Sequence, residues 1–216
     1  MPESMKVEQL ESSSGESFKQ LYAIYAASIA AREQKSERAI AAMIGSPTYR
    51  FLISKAAGEV RGFSILFLPA AGGFALLEYM AVASDERNHG LGAELFRGAV
   101  ARALSPEGRS LPVILEIDSD REASSDRAIR TRRERFYRRL GCLRIAGLHY
   151  LLPLAGVGPV PEMDLFVHTS DPASGVPRGE LRRWLETIYR DVYHCAPNDP
   201  RITEMLAGLP DPVRFE

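Results

Sequence analysis

At 216 residues, 45% of them hydrophobic and 25% charged, the chain can bury a sizeable core and has the composition of an ordinary globular protein. Its formal net charge of -1 excludes a global basic field that would draw it to nucleic acid or to an anionic membrane. Two cysteines without disulfide framework or metal-ligand spacing, a polar and acidic N-terminal stretch with no apolar signal core, and no run apolar enough to span a bilayer point to the cytoplasm and away from a membrane.

In chain order, Met5 to Leu10 reads as a short strand followed by the turn Ser12-Ser13-Ser14-Gly15. Phe18, Leu21, Tyr22, Tyr25 and Ile29 recur at helical spacing, and a second helix runs from Ser36 to Ile44 before Gly45 and Pro47 stop it. Three strand-like runs follow, Tyr49 to Ser54, Val60 to Leu68 and Phe74 to Val82, and their short connections predict an antiparallel meander. Leu91, Leu95, Ala99 and Ala103 then line one face of a helix, and Leu111 to Asp118 reads as a buried strand reached by a right-handed crossover. Ala123 to Leu140 is helical and rich in arginine. Leu143 to Leu152 and Met163 to His168 read as strands split by a Gly- and Pro-rich loop at Ala155 to Pro161. Beyond Pro177, Leu181, Trp184, Leu185, Ile188, Tyr189 and Val192 form one apolar stripe of a tail helix.

The stretch Met80 to Ala103 organises the rest. An apolar strand passes through Arg87-Asn88-His89-Gly90-Leu91-Gly92 into a helix, and a glycine-punctuated turn opening a helix points unpaired N–H groups outward at the positive end of the helix dipole. The pyrophosphate of a nucleotide-like cofactor is the expected ligand. Glu78 interrupts the apolar run Phe74 to Leu77, where a carboxylate is costly unless it is paired or faces a wet cleft.

Two motifs resemble the GNAT superfamily of N-acetyltransferases, which use acetyl-CoA, with the element order matching over roughly Tyr49 to His168. One is the pyrophosphate turn of Arg or Gln, two residues, Gly, one residue, then Gly or Ala, matched by Arg87, Gly90 and Gly92. The other is an aromatic pair ahead of a helix-ending glycine, here Phe136-Tyr137 and Gly141. Asn88 stands where many members have glycine, and asparagine is the residue that best tolerates positive φ in its place. Ser84 replaces a common proline, and the asparagine that helps hold pantetheine has no counterpart in Ser119 to Ser125.

The resemblance implies a mixed, mostly antiparallel central sheet of about seven strands flanked by helices, an α/β domain expected over residues 1–170; the apolar stripe beyond Pro177 adds a C-terminal helical extension over 171–216, packed on the domain or on a partner subunit. The resemblance also implies that Arg87, Asn88, His89, Gly90, Leu91, Gly92 and Ala93 hold acetyl-CoA, joined by backbone groups of Met80, Ala81 and Val82 freed where this strand splays from the next. Acetyl transfer to an amine needs a base and a proton for the thiolate; Glu78 is the candidate base or cation site and Tyr137 the candidate acid. A phenol at about 10 and a thiol at about 8.5 differ by roughly 2 kcal/mol, so Tyr137 is better described as a hydrogen-bond donor to the thiolate.

Glu116 and Asp118 alternate with apolar neighbours and so share one side of their strand, an acidic pair suited to an amine acceptor. The arginines at 121, 127, 130, 132, 133, 135, 138 and 139 read as a solvated helix face, with a cofactor phosphate or acidic substrate as the alternative. Scattered His149, His168 and His194 suggest no metal. No Ser, Cys or His sits in a nucleophile motif, which favours direct attack in a ternary complex. The expected activity is acetylation of a small-molecule primary amine. The rivals are a protein N-terminal or lysine acetyltransferase and a non-enzymatic acyl-CoA sensor, and the tail helix leaves room for a homodimer.

Overall fold

The computed structural model describes residues 6–121, 126–154 and 162–216. The chain forms two compact units, Met1–Ser110 and Leu111–Glu216.

The first unit contains β1 (Lys6–Gln9), α1 (Glu16–Ser28), α2 (Glu37–Ile44), β2 (Tyr49–Ala56), β3 (Glu59–Phe67), β4 (Ala75–Val82) and α3 (Leu91–Arg102). The four strands pair in chain order, each antiparallel to the next; short connections dictate this for β2–β3 and β3–β4, while β1 reaches β2 through the two helices. Alternation along the strands then decides the layers. Phe51, Ile53, Phe63 and Ile65, with Tyr79 and Ala81, pack against Phe18, Leu21 and Tyr25 of α1 and Ile40 and Met43 of α2. Ser36 caps α2 by accepting from the Ala39 N–H at 3.3 Å. The alternate positions meet α3, whose Leu91, Leu95, Ala99 and the following Ala103 are fully buried, the face expected from their spacing. Gly98 lets α3 come close: a Cβ there would lie 2.9 Å from Val7 Cγ1 on β1.

The second unit contains β5 (Val113–Asp118), α4 (Arg127–Arg139), β6 (Leu143–Arg144), β7 (Tyr150–Leu151), β8 (Glu162–His168), α5 (Arg178–Thr187), a π-helical turn (Ile188–Val192) and α6 (Pro200–Leu206). β8 pairs antiparallel with β5 on one edge and with β6 and β7 on the other. The single strand expected over Leu143 to Leu152 is therefore two short strands. Ile145 still donates to the Leu165 carbonyl of β8 at 2.9 Å and bridges Phe215; the chain then leaves β8 through Gly147, at φ 72°, and rejoins it in the same direction at Tyr150. The arginine-rich helix begins at Arg127; its expected start at Ala123, like the loop at Ala155 to Pro161, lies outside the described residues.

The tail belongs to this unit. The whole apolar stripe of Leu181, Trp184, Leu185, Ile188, Tyr189 and Val192 is buried, and Val176 bridges Val213. The fold is mixed α/β, with a mostly antiparallel set of strands flanked by helices.

Candidate active site

Between β4 and α3 the chain makes a 3-10 turn at Ser84–Glu86, pinned to β3 by Arg61. The Arg61 guanidinium donates to Asp85 and, at 3.1 Å, to Glu86 Oε1, while its carbonyl accepts from the Ala83 N–H at 2.8 Å. The ion pair holds the Asp85 carboxyl below its ordinary value. The turn itself takes the left-handed conformations its residues favour, with Asn88 at φ 69° and Gly90 at φ 89°. Gly90 opens α3 with no side-chain cap, and its carbonyl accepts from Ala93 and Glu94 at 2.9 and 3.2 Å. The N–H groups of Gly90, Leu91 and Gly92 have no acceptor among the described residues. A Cβ added at Gly90 would meet open space, and the Arg87, Asn88 and His89 side chains are exposed. This is an open cradle of donors at a helix N-terminus, and it fits a phosphate group.

β4 is not a regular strand. Its register against β3 passes from Ile65↔Tyr79 to Leu66↔Leu77, which leaves Glu78 as the extra residue of a β-bulge. In a regular strand residues 78 and 79 would face opposite sides. Here both reach one ammonium: Lys35 Nζ donates to Glu78 Oε1 at 2.6 Å and to the Tyr79 hydroxyl at 3.3 Å. The Glu78 side chain is 3% exposed, and its Oε2 is buried with no hydrogen-bond partner among the described residues.

Lys35 is held from several sides. Its N–H donates to the Tyr25 hydroxyl at 2.7 Å, and the preceding Gln34 side chain donates to the Ala26 and Ile29 carbonyls of the α1 end at 3.0 and 2.7 Å. Burial, with the Glu78 charge adding to it, raises the Tyr25 phenol. Further along β4, the Ala83 N–H bonded to Arg61 sets the alternation. Ala81 turns its N–H toward β3, and Met80 and Val82 turn theirs to the opposite edge.

In the second unit, Tyr137 sits in the last turn of α4, 8% exposed and edge-to-face with Phe136 at 5.1 Å. Burial pushes its phenol up to about 12, against a smaller opposing pull from Arg133. Glu116 and Asp118 do lie on one side of β5, and both are engaged. Glu116 accepts from the Tyr150 hydroxyl and, at 2.7 Å, from Tyr193 beyond the π-helical turn; Asp118 accepts from Arg133 at 2.7 Å. Much of the arginine run forms local ion pairs, with Arg121 on Asp164, Arg130 on Asp126 and Arg138 on Glu134, while Arg132, Arg135 and Arg139 are exposed. Cys142 is buried and its thiol is pushed up to about 12 by desolvation; Cys195 is raised by the same cause.

Three residues that matter locally carry no mark in the sequence. Lys35 lies in a loop 43 positions from its carboxylate, and Tyr150 and Tyr193 reach Glu116 from 34 and 77 positions away. Only Arg61, a charge inside the apolar run Val60 to Leu68, offered a signal, the same one that singled out Glu78.

The model of the acetyltransferase (GNAT) family matches residues 17–142, more than half of the chain, and the chain belongs to that family. Solved structures of similar fold include a protein assigned to the GNAT acetyltransferases from Bacteroides thetaiotaomicron. It is 17% identical at a TM-score of 0.68, over 89% of this chain and 100% of that one. Another, from Desulfovibrio desulfuricans, is 16% identical at a TM-score of 0.57, over 76% and 98%. A GNAT acetyltransferase from Elizabethkingia anophelis, solved with acetyl-CoA bound, is 15% identical at a TM-score of 0.51, over 77% and 98%. No curated protein matches the chain.

Proposed function

We propose that the protein is an acetyl-CoA-dependent N-acetyltransferase acting on a primary amine of a small molecule. The observation that carries this reading is Glu78. It is a carboxylate lifted out of the strand by a bulge, almost fully buried, with one oxygen already on an ammonium at 2.6 Å and the other without a donor among the described residues. Buried carboxylates of this kind are uncommon outside sites that handle cations or protons.

Acetyl-CoA, when bound, supplies a thioester carbonyl as acyl donor. The donor cradle at Gly90, Leu91 and Gly92, with Arg87 and His89 beside it, suits the pyrophosphate, and the Met80 and Val82 N–H groups are the candidates for the pantetheine and thioester carbonyls. Glu78 receives the proton that the acceptor amine gives up. Tyr137 hydrogen-bonds the sulfur as it departs. The two cysteines support direct attack over an acetyl-enzyme, because thiols raised by burial hold almost no thiolate at neutral pH. Glu116, bonded to Tyr150 and Tyr193, and Asp118, bonded to Arg133, are left the lesser part of holding the acceptor side in shape.

The test is a panel of amines assayed with acetyl-CoA by release of free CoA thiol. At least one small amine is expected to turn over, and Glu78→Gln is expected to slow that turnover by roughly 100- to 10,000-fold. Acetyl-CoA binding without turnover on any amine would favour a sensor, and turnover on peptides alone would favour a protein acetyltransferase.

A further inference from the structure

The Lys35–Glu78 pair bears on which amine the site can take, and this rests on the reading of Glu78 as the acceptor-facing carboxylate. The groups around that carboxylate are few. Lys35 meets Oε1 at 2.6 Å, the Tyr79 hydroxyl shares the same ammonium, and the Tyr25 hydroxyl holds the Lys35 backbone. Glu33 turns its carbonyl to Tyr79 and pairs its carboxylate with Arg32 at 3.2 Å. The carboxylate and its lysine together carry no net charge. Oε2 is buried, so an acceptor reaches it through a bridging water or on local opening, and a second ammonium there would meet an anion already neutralised and a cation on the neighbouring oxygen. A neutral amine would meet an acceptor oxygen with no donor among the described residues, at no repulsive cost.

We infer that Lys35 is a specificity-determining residue: it makes the site select weakly basic primary amines, which enter as the free base, over strongly basic alkylammonium groups such as polyamines and lysine side chains. Solution basicity works in the same direction. An α-amine near pKa 8 and an alkylamine near 10.4 differ about 230-fold in free-base fraction at neutral pH. The contribution of Lys35 is therefore read from variants rather than from the raw preference.

The experiment uses the full chain with alaninamide and butylamine as matched weak and strong bases. Steady-state thiol release is followed with acetyl-CoA, and calorimetric binding of each amine is measured without it. Lys35→Met is expected to lower the KM for butylamine and tighten its binding at least about tenfold, because Glu78 regains an uncompensated charge, and to leave the KM for alaninamide within about threefold. Lys35→Gln, which keeps a hydrogen-bond donor, should behave as Lys35→Met does and serves where the methionine variant does not fold. Lys35→Arg should restore the original selectivity. Equal changes for both amines, or no tightening of butylamine in either uncharged variant, would overturn the inference. Wild-type turnover in Glu78→Gln would sink the reading of Glu78 itself; an inactive Glu78→Gln alongside unchanged selectivity in the Lys35 variants sinks only the role given to Lys35.

Discussion

Tyr137 shows how burial redefines a residue. An exposed phenol would differ from a thiol by a modest amount, but with its phenol pushed up to about 12 the uphill gap to a thiol at about 8.5 widens to about 5 kcal/mol. Complete proton transfer is then a poor use of this side chain, and a hydrogen bond to developing negative charge a good one. Tyr137→Phe is expected to lower kcat roughly 100-fold and leave acetyl-CoA affinity within about threefold, as measured by thiol release and direct titration. A wild-type rate would reduce the residue to packing against Phe136. The raised phenol also means that no loss of activity between pH 8 and 11 should come from this residue, so an alkaline limb that persists unchanged in Tyr137→Phe belongs to another group.

At the scale of elements, the loop from β4 to α3 and the bulge in β4 do different work with the same backbone. The loop is fixed from below by Arg61, and its donors stay free because the positive φ of Asn88 and Gly90 turns the chain before the helix starts. Gly90→Ala should cost about 1 kcal/mol of stability through backbone strain alone, a small shift in thermal midpoint. Gly90→Glu adds a carboxylate in the open space where an anion is expected, and acetyl-CoA affinity should fall by at least about 100-fold relative to the alanine variant. Unchanged affinity would remove the anion site from this turn. The bulge, in contrast, acts through a side chain: without the extra residue, Glu78 and Tyr79 could not share Lys35. In the second unit the π-helical turn has a comparable role, carrying the chain from the buried stripe of α5 to Tyr193 and its bond to Glu116.

Over the whole molecule, neutral but ionisable groups are buried in number, and that makes stability sensitive to alkali. Cys142 moves from its ordinary 9.0 to about 12, Tyr137 from 10.0 to about 12, and Tyr150 well upward, all chiefly by desolvation. For a group raised in the folded state, the stabilisation is complete below the unfolded value and is lost as pH climbs toward the folded one. Stability should hold up to about pH 8.5 and then decline, with Cys142 accounting for about 2 kcal/mol of the loss by pH 10.5. Urea midpoints at pH 8 and 10.5 measure this, and Cys142→Ala should show the shallower decline. Equal slopes would mean that the thiol is hydrated.

The sequence determined what is local. Apolar spacing marked the helices and the meander, Asn88 and Gly90 marked the turn because few other residues suit its backbone, and Glu78 stood out as a charge in an apolar strand. The family membership was legible from Arg87, Gly90 and Gly92 together with Phe136 and Tyr137. What spacing cannot carry is partnership across distance. The tertiary structure decided that Glu78 shares its charge with Lys35, that Glu116 and Asp118 are bonded to tyrosines and an arginine, and that Leu143 to Leu152 breaks where the tail pairs with Ile145. Each follows from chain segments brought together by packing. The cost of burying a charge can be read from one strand, but the group that offsets it is chosen by the fold.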